Sequence, residues 1–258
     1  MFQSTSYCLK DALITISNSH LYVLNSEFSL INTTCHSSSS VINATENSYV
    51  QIENSVFSNN TGRDGLISIG NNSEINVINS TFSANEATVI DSIGEGGCFK
   101  LGHNVSAQII NSTFIANSAL NGAVLDTNGS GSIDIYSSTF ENNMADVNGG
   151  VINIQGVGNF TINLVQCDFV QNEAQYGGCI CINSGYSSIN IQNSQFINNK
   201  ARTAFGVFNI INANMVLIAS QFDGNSAAEN VGVLTSLSSI LAIDDCKFLN
   251  NNANNDIG

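Results

Sequence analysis

Apolar and polar residues alternate in short stretches that recur along the whole chain. Three examples are Ile75-Asn76-Val77-Ile78, Ile133-Asp134-Ile135-Tyr136 and Ile189-Asn190-Ile191-Gln192. A period of two places successive side chains on opposite faces of a β-strand, and no stretch shows a helical period. The pattern predicts an all-β protein whose short strands bury one face.

A phenylalanine follows each alternating stretch, and the steps between successive phenylalanines are 25 to 32 residues. Self-similarity at such a period is typical of solenoid proteins. Because stacked aromatic rings fill the interior of such folds, we expect these side chains to form a core stack rather than a binding stripe. The recurring positions are Phe28, Phe57, Phe82, Phe114, Phe140, Phe169, Phe196, Phe222 and Phe248.

Two other residue types recur at fixed distances after the phenylalanine. Alanine stands five positions after seven of the nine phenylalanines, and asparagine stands three positions after eight of them, with Ile31 in the first repeat. We predict that these asparagines form a structural ladder. They are Asn60, Asn85, Asn117, Asn143, Asn172, Asn199, Asn225 and Asn251.

The alternation changes phase before each phenylalanine, which predicts a bend. Ile75 and Val77 share one face, but the next inward candidates are Ser80 and Phe82, so the bend falls near Asn79. Asparagine tolerates the left-handed conformation of a one-residue bend, and its amide can bond the equivalent asparagine of the next repeat. The bend asparagines are Asn25, Asn54, Asn79, Asn111 and Asn193.

A second strand is predicted to begin upstream of each alternating stretch. Its signature is a glycine, a small residue and a large apolar residue, as in Gly150-Val151-Ile152, and the glycine permits a tight corner. The segment between this step and the alternating strand varies in length, which identifies it as the tolerant loop of the repeat.

Three short strands, two fixed corners and one variable loop in about 27 residues describe one coil of a parallel β-helix. About nine coils at a strand spacing of roughly 4.8 Å give a rod on the order of 40 Å long. We expect a right-handed helix, since right-handed crossovers between parallel strands are the default. Leucine-rich repeats would need leucine at fixed steps and a helix in each repeat, and a propeller would need about 40 residues per blade. Residues 1–258 are predicted to form one domain, a segment of a longer chain.

The repeat resembles that of the chlamydial polymorphic outer membrane proteins, and it is similar to repeats in large pectin-lyase-like surface proteins of single-celled eukaryotes. The resemblance rests on Phe-x-x-Asn followed by Gly-Gly-x-apolar, as in Phe140-Glu141-Asn142-Asn143 leading to Gly149-Gly150-Val151-Ile152. It covers nearly the whole chain. It implies a secreted or surface-displayed β-helical stalk, often adhesive, with no enzyme activity attached to the repeat.

Composition and charge narrow the classes of partner. A net charge of −14 would repel phosphate backbones, so nucleic acid is an unsuitable partner. No run of the chain approaches the roughly 20 apolar residues that a spanning helix needs. The remaining partners are the rest of a longer chain, copies of the same chain, or surface glycans and proteins.

Catalytic and metal-binding groups do not form a recurring pattern. Polysaccharide lyases of this fold need a basic side chain beside acidic ones, and the hydrolases need an aspartate cluster. Asp244-Asp245 is the one adjacent aspartate pair, which we interpret as a solvated face and a bend residue. We predict no catalytic residue, cofactor or metal. The candidate catalytic bases are Lys10, Arg63, Lys100, Lys200, Arg202 and Lys247. The candidate metal ligands are His20, His36 and His103, with Glu86, Asp91 and Glu95 for calcium.

Seven cysteines occur without a Cys-x-x-Cys pair. Cys98 and Cys179 occupy the small position after the glycine step, and Cys167 and Cys246 replace a recurrent serine. Members of each pair lie three coils apart, beyond the reach of a disulfide. We expect free buried thiols, with a bond between Cys167 and Cys181 as the alternative.

Asn-x-Ser/Thr triplets at five positions fall in the variable loop of successive coils, where a glycan could project along one edge. These candidate glycosylation sites are Asn43, Asn71, Asn104, Asn128 and Asn159. The leading functional prediction is a non-enzymatic structural or adhesive rod of an extracellular or cell-surface protein. The alternatives are a β-helix that binds or cleaves polysaccharide, and a subunit of a fibre that stacks end to end.

Overall fold

The structure is a computed structural model that describes residues 12–34, 40–88 and 96–254. These residues form 33 β-strands and no helix. Each strand pairs in parallel with its equivalents in the neighbouring coils, which produces three sheets of 16, nine and eight strands. This arrangement confirms the predicted all-β parallel β-helix, and nine stacked strands in one sheet correspond to about eight complete turns.

The nine-stranded sheet carries the recurrent phenylalanines and is named the Phe sheet. Its strands have three residues each, and the phenylalanine is always the central one, so that Phe82 pairs with Phe57 on one side and Phe114 on the other. The strands are Glu27–Ser29, Val56–Ser58, Thr81–Ser83, Thr113–Ile115, Thr139–Glu141, Asp168–Val170, Gln195–Ile197, Gln221–Asp223 and Lys247–Leu249.

The eight-stranded sheet follows the ladder asparagines and is named the Ala sheet, because the recurrent alanines face inward from it. From the third strand onward its register contains repeated irregularities, for example between Ala119 and Asn121. The strands are Thr61–Gly62, Glu86–Ala87, Ser118–Asn121, Met144–Asn148, Glu173–Tyr176, Lys200–Ala204, Ser226–Glu229 and Asn252–Ala253.

The 16-stranded sheet, named the long sheet, contains both the strand after the glycine step and the alternating strand of each coil. In two successive coils these strands merge into one, Ile180–Gln192 and Phe208–Ile218. The separate strands after the glycine step are Ile14–Ile16, Ile42–Ala44, Ile67–Ile69, Phe99–Leu101, Leu125–Thr127, Ile152–Gln155 and Leu234–Leu237. The separate alternating strands are His20–Leu24, Tyr49–Glu53, Glu74–Ile78, Val105–Ile110, Gly131–Tyr136, Phe160–Val165 and Leu241–Asp244.

The assignment of strands to the three sheets differs from the sequence-based expectation. The glycine-step strand and the alternating strand were expected to be two separate strands, but they lie end to end in one sheet. The third sheet is the Ala sheet, whose strands have only two to five residues. Strands this short carry too little alternation to stand out in the sequence.

Two corners of every coil rest on a residue in the left-handed backbone region. The first is the bend three residues before the phenylalanine, where φ lies between 48° and 57° in all nine coils and Asn25, Asn54, Asn79, Asn111 and Asn193 are found. The second corner, two residues after the phenylalanine, was not predicted. Its φ values lie between 52° and 65° at Leu30, Asn59, Ala84, Ala116, Asn142, Gln171, Asn198, Gly224 and Asn250.

In three coils, doubled glycines form the third corner, between the Ala sheet and the long sheet. Gly149 has a φ of 58°, which favours glycine, and a Cβ on Gly150 would overlap the carbonyl oxygen of Gly178 in the next coil. The first glycine therefore provides the turn and the second allows adjacent coils to approach.

The core is one continuous cluster along the interior of the solenoid. Inward side chains of the long sheet, such as Ile133 and Ile135, face the phenylalanine column, and neighbouring phenylalanine rings lie parallel with centroids 4.6–5.1 Å apart. Phe57, Phe82, Phe114, Phe140, Phe169, Phe196 and Phe222 are fully buried, whereas Phe248 is 43% exposed.

Candidate functional site

The ladder asparagines form a continuous hydrogen-bonded column inside the solenoid. Asn143 illustrates the pattern: its Oδ1 accepts from the backbone and side-chain amides of Asn117, and its Nδ2 donates to Asn172 Oδ1 and to Phe114 O at 3.0 Å each. The same side-chain bond joins every successive pair from Asn60 to Asn251 at 2.9–3.0 Å. Each interior amide is thus fully paired although it is buried, which removes the penalty for burying it.

The first coil shows how the column begins. Ile31 occupies the asparagine position there, and its backbone N–H donates to Asn60 Oδ1 at 3.0 Å. The backbone N–H of Ile31 thus takes the place of the asparagine backbone N–H that donates to the next ladder side chain in the later coils.

A second column, formed by serines two residues before the phenylalanine, was missed as a hydrogen-bonding feature. The backbone N–H of one serine donates to the hydroxyl oxygen of the next at 3.1 Å, from Ser26 through Ser138 and again from Cys167 through Ser220. Serine stands at this position in seven of nine repeats, so the regular spacing was a usable signal. Both columns are structural, and they lie in the interior rather than at a binding surface.

Cys167 takes one serine position in this column. Burial raises the pKa of the Cys167 thiol to about 11, and burial also raises the pKa of Cys98 and Cys179 well above its usual range. Cys181 lies outside the lumen, where its Sγ contacts Asn148 and Asn209, and burial raises its pKa to about 12. Cys98, Cys167, Cys179, Cys181 and Cys246 are free thiols, as expected, and the alternative bond from Cys167 to Cys181 is absent. Cys8 and Cys35 lie outside the described residues.

Three of the basic side chains considered as lyase groups approach carboxylates, at two separate places. Lys100 Nζ lies 2.7 Å from Asp64 Oδ1, while Lys200 and Arg202 both approach Glu173, at 3.5 and 3.4 Å. Arg202 also donates to Ala145 O and Asp146 O, two coils away. Its contacts brace the irregular strands of the Ala sheet.

The remaining candidates are also separate from one another. Asp244 ends an exposed strand and Asp245 occupies a left-handed bend. His20 and His103 are exposed and lie three coils apart, while Lys10, His36, Asp91 and Glu95 fall outside the described residues. Across residues 12–34, 40–88 and 96–254, no three His, Cys, Asp or Glu side chains converge to hold a metal ion.

The candidate glycosylation residues differ in accessibility. Asn104, Asn128 and Asn159 are exposed on three successive coils, and Asn43 and Asn71 are half-buried. Asn104 Nδ2 donates to Asn72 Oδ1 at 3.0 Å, and Asn159 Oδ1 accepts from the backbone of Tyr186 at 2.9 Å. The three exposed residues line one edge of the rod.

The outward side chains of the alternating strands form a continuous surface, named the outer face. Parallel register aligns them in three columns that run through eight coils. The first column is His20, Tyr49, Glu74, Ser106, Ser132, Thr161, Ser188 and Asn214. The second is Tyr22, Gln51, Asn76, Gln108, Asp134, Asn163, Asn190 and Val216. The third is Leu24, Glu53, Ile78, Ile110, Tyr136, Val165, Gln192 and Ile218.

An aromatic cluster occupies one end of the outer face. The ring centroids of His20 and Tyr49 are 5.5 Å apart, those of Tyr22 and Tyr49 are 5.9 Å apart, and Tyr22 is 56% exposed. Sequence reasoning considered His20 only as a metal ligand. The register that joins it to Tyr49 across 29 residues becomes visible only when the coils are aligned.

The described part of the chain contains no helix that could cross a membrane. Comparison with known proteins finds no matching family model, no matching curated protein and no matching solved structure.

Proposed function

We propose that this chain is a structural and adhesive rod of an extracellular or cell-surface protein. The observation that carries the proposal is the continuous phenylalanine stack, buried without interruption from Phe57 to Phe222. A filled interior makes a stiff element whose length is set by the number of coils, while the outside is free to vary. Such a protein acts by supplying length and a repetitive surface.

Display on the cell surface is tested by antibodies raised against the purified chain. We expect them to label intact cells that express the native protein, without permeabilisation. Labelling that appears only after permeabilisation would contradict the proposed location.

Glycosylation gives an independent test of export. Asn104, Asn128 and Asn159 present exposed side chains in acceptor triplets. We expect the native polypeptide to run well above 27.3 kDa on a denaturing gel and to fall in mass after enzymatic removal of N-glycans. A band that stays at 27.3 kDa with and without treatment would argue against a secreted glycoprotein.

The proposal includes the absence of catalysis on acidic polysaccharides. Purified protein incubated with polygalacturonate, with and without calcium, is expected to release neither unsaturated products nor new reducing ends. A rate above that of heat-denatured protein would favour the polysaccharide-cleaving alternative.

End-to-end stacking is a second candidate function, favoured by the last coil. Ile243 is 49% exposed although its register partner Leu217 is fully buried, and Phe248 is 43% exposed although Phe222 is fully buried. In the isolated chain, the apolar side chains and the strand edge that the described residues leave uncovered here can be covered by a second copy stacked on this coil.

Sedimentation velocity over a range of concentrations tests the stacking. We expect the average mass to rise with concentration and Ile243→Glu to prevent the rise. Val157→Glu is the matched control, because Val157 is 92% exposed in a loop away from this end and its substitution should leave association unchanged. A mass that is constant for the unsubstituted chain would exclude stacking as a function.

A further inference from the structure

We propose that the outer face binds an extended, uncharged polysaccharide chain, with Tyr22 and Tyr49 as the anchor. This inference deepens the adhesive part of the proposed function and rests on it, since it names the class of partner. Surface display and glycan binding are measured separately, so either can fail without the other.

The anchor is an aromatic surface that is already assembled. His20, Tyr22 and Tyr49 make contact through their rings, with all three centroid distances between 5.5 and 6.5 Å. Rings on adjacent strands of a rigid sheet lose little conformational freedom when a ligand binds, which favours affinity. An exposed aromatic ring offers an apolar face to the C–H surface of a sugar and a polar edge to its hydroxyl groups.

The polar side chains around the anchor are held in place by one another. Asn76 Nδ2 donates to Tyr49 Oη at 3.1 Å and to Glu74 Oε1 at 3.0 Å, and Tyr49 Oη donates to Gln51 Oε1 at 3.0 Å. Gln51 Nε2 then donates to Glu53 Oε2 at 3.1 Å. The network fixes amides and carboxylates beside the rings at positions from which they can bond hydroxyl groups.

The carboxylates of the outer face are paired with amides. Glu53 accepts from Gln51, Glu74 accepts from Asn76, and Asp134 accepts from Asn163 at 2.7 Å. A carboxylate beside an amide provides an acceptor and a donor together, which matches two neighbouring hydroxyl groups of a sugar ring.

The charges of the outer face favour an uncharged glycan over an anionic glycan or a cationic peptide. The three columns contain no Lys or Arg, so a polyuronate or a sulfated glycan would meet carboxylates without a compensating cation. Most polar members of the columns are Asn, Gln, Ser and Thr rather than Asp or Glu, so the face has little to attract a cationic peptide. An extended chain parallel to the rod axis meets the same three columns at each step of roughly 4.8 Å.

Direct binding measurements test the proposal. The probes are hexamers of β-1,4-linked glucose, β-1,4-linked N-acetylglucosamine, β-1,4-linked mannose and β-1,3-linked glucose, with polygalacturonate and a lysine-rich peptide as charged competitors. The chain has six Tyr and no Trp, so tyrosine fluorescence is the intrinsic signal, and the part of a ligand-induced change that Tyr22→Ala removes reports on the anchor; calorimetry provides a second readout.

We expect at least one uncharged hexamer to bind and Tyr22→Ala to weaken that binding by about tenfold or more, as loss of an aromatic anchor does. Tyr49→Phe keeps the ring but removes the hydroxyl that joins Asn76 to Gln51, so a smaller loss is expected. Tyr186→Ala is the matched control, because Tyr186 is 85% exposed and lies in the irregular stretch of the strand Ile180–Gln192, outside the three columns.

Three results would overturn the inference. The first is that none of the uncharged hexamers binds at millimolar concentration. The second is that polygalacturonate or the lysine-rich peptide binds more tightly than every uncharged hexamer. The third is that Tyr22→Ala and Tyr186→Ala have equal effects. All three substitutions change outward side chains, so unchanged thermal unfolding is required before the binding results are compared.

Discussion

At the residue scale, the second corner of each coil carries a recurrent conformational cost. The residue between the Phe strand and the ladder asparagine is left-handed in every coil, and a non-glycine residue there costs roughly 1–2 kcal/mol. Asparagine or glycine, which tolerate this region best, occupy five of the nine positions. Ala84 and Ala116, with φ of 52° and 54°, have no side-chain group that could offset the cost.

We therefore predict that Ala116→Gly stabilises the protein by about 0.5–1 kcal/mol. Ala116 is exposed, so removing its methyl group opens no cavity. The control is Ala119→Gly, because Ala119 is 4% exposed and its backbone is not left-handed, and this change should destabilise by about 1 kcal/mol. Urea unfolding of both variants measures the difference. Equal destabilisation by both would show that the corner is not strained.

Cys167 provides a pH-dependent prediction at the same scale. Burial raises the pKa of its thiol to about 11, so the thiol stays protonated in the fold, whereas it ionises in the unfolded chain at roughly pH 8.5–9. The stabilisation associated with the protonated thiol is complete below the unfolded pKa and is lost as pH rises towards 11.

Cys167→Ser replaces the thiol with the side chain that most other coils carry. We expect the stability of the variant relative to the unsubstituted chain to rise by about 2–3 kcal/mol between pH 8 and pH 11. Chemical denaturation at a series of pH values measures this change. Ser194→Ala, one coil further along the same column, is the control, since it alters no ionisable group. A difference for Cys167→Ser that does not depend on pH would contradict the expected ionisation.

At the element scale, the asparagine column joins the coils more strongly than single side-chain pairs would. Each interior asparagine uses both oxygen lone pairs and both amide hydrogens, and the bonds run in one direction through seven successive steps. Removal of one side chain breaks hydrogen bonds to both neighbouring coils and leaves a buried backbone N–H of the preceding coil without its acceptor. The column is therefore most sensitive in the middle and least sensitive where it meets solvent.

We predict that Asn143→Ala lowers the free energy of unfolding by about 3–5 kcal/mol, because it leaves the buried backbone N–H of Asn117 without its acceptor and removes one hydrogen bond each from Asn117 Nδ2, Phe114 O and Asn172 Oδ1. Asn251→Ala removes the same contacts to the preceding coil, but water can replace them at this partly exposed position, so the expected loss is about 1 kcal/mol. Denaturation of both variants under identical conditions measures the ratio. Similar losses would mean that the column does not act as a cooperative element.

The sequence allowed prediction of those elements that repeat a recognisable side chain. The phenylalanine positions, the bend near Asn79 and the alternating strands were predictable because each has a periodic signal. The corner at Ala116 was not, since Leu, Asn, Ala, Gln and Gly all occupy it and only the backbone conformation is shared. The outer face escaped prediction for a different reason: Tyr22 and Tyr49 become neighbours through coil stacking, which no local pattern records.

At the scale of the whole molecule, burial changes along the rod axis. In the last coil, the inward side chains of Leu241, Ile243 and Phe248 are 38–49% exposed, whereas the inward side chains at the same positions of the middle coils are fully buried. Their partners Met215, Leu217 and Phe222 are fully buried. In a solenoid, each coil is covered by its neighbours, so this gradient shows where a further coil or another copy of the chain would add most to stability.

Two phenylalanines measure this gradient in solution. Phe140→Ala removes a fully buried ring between Phe114 and Phe169 and is expected to cost about 3–5 kcal/mol. Phe248→Ala removes a ring that stacks on Phe222 on one side only, so we expect a cost of about 1–2 kcal/mol for the isolated chain.

If copies stack end to end, the cost of Phe248→Ala should increase with protein concentration while that of Phe140→Ala stays constant, because association buries the exposed ring. Unfolding measured at two concentrations a hundredfold apart separates these outcomes. A cost for Phe248→Ala equal to that of Phe140→Ala at the lowest concentration would show that the last coil is already covered within a single chain.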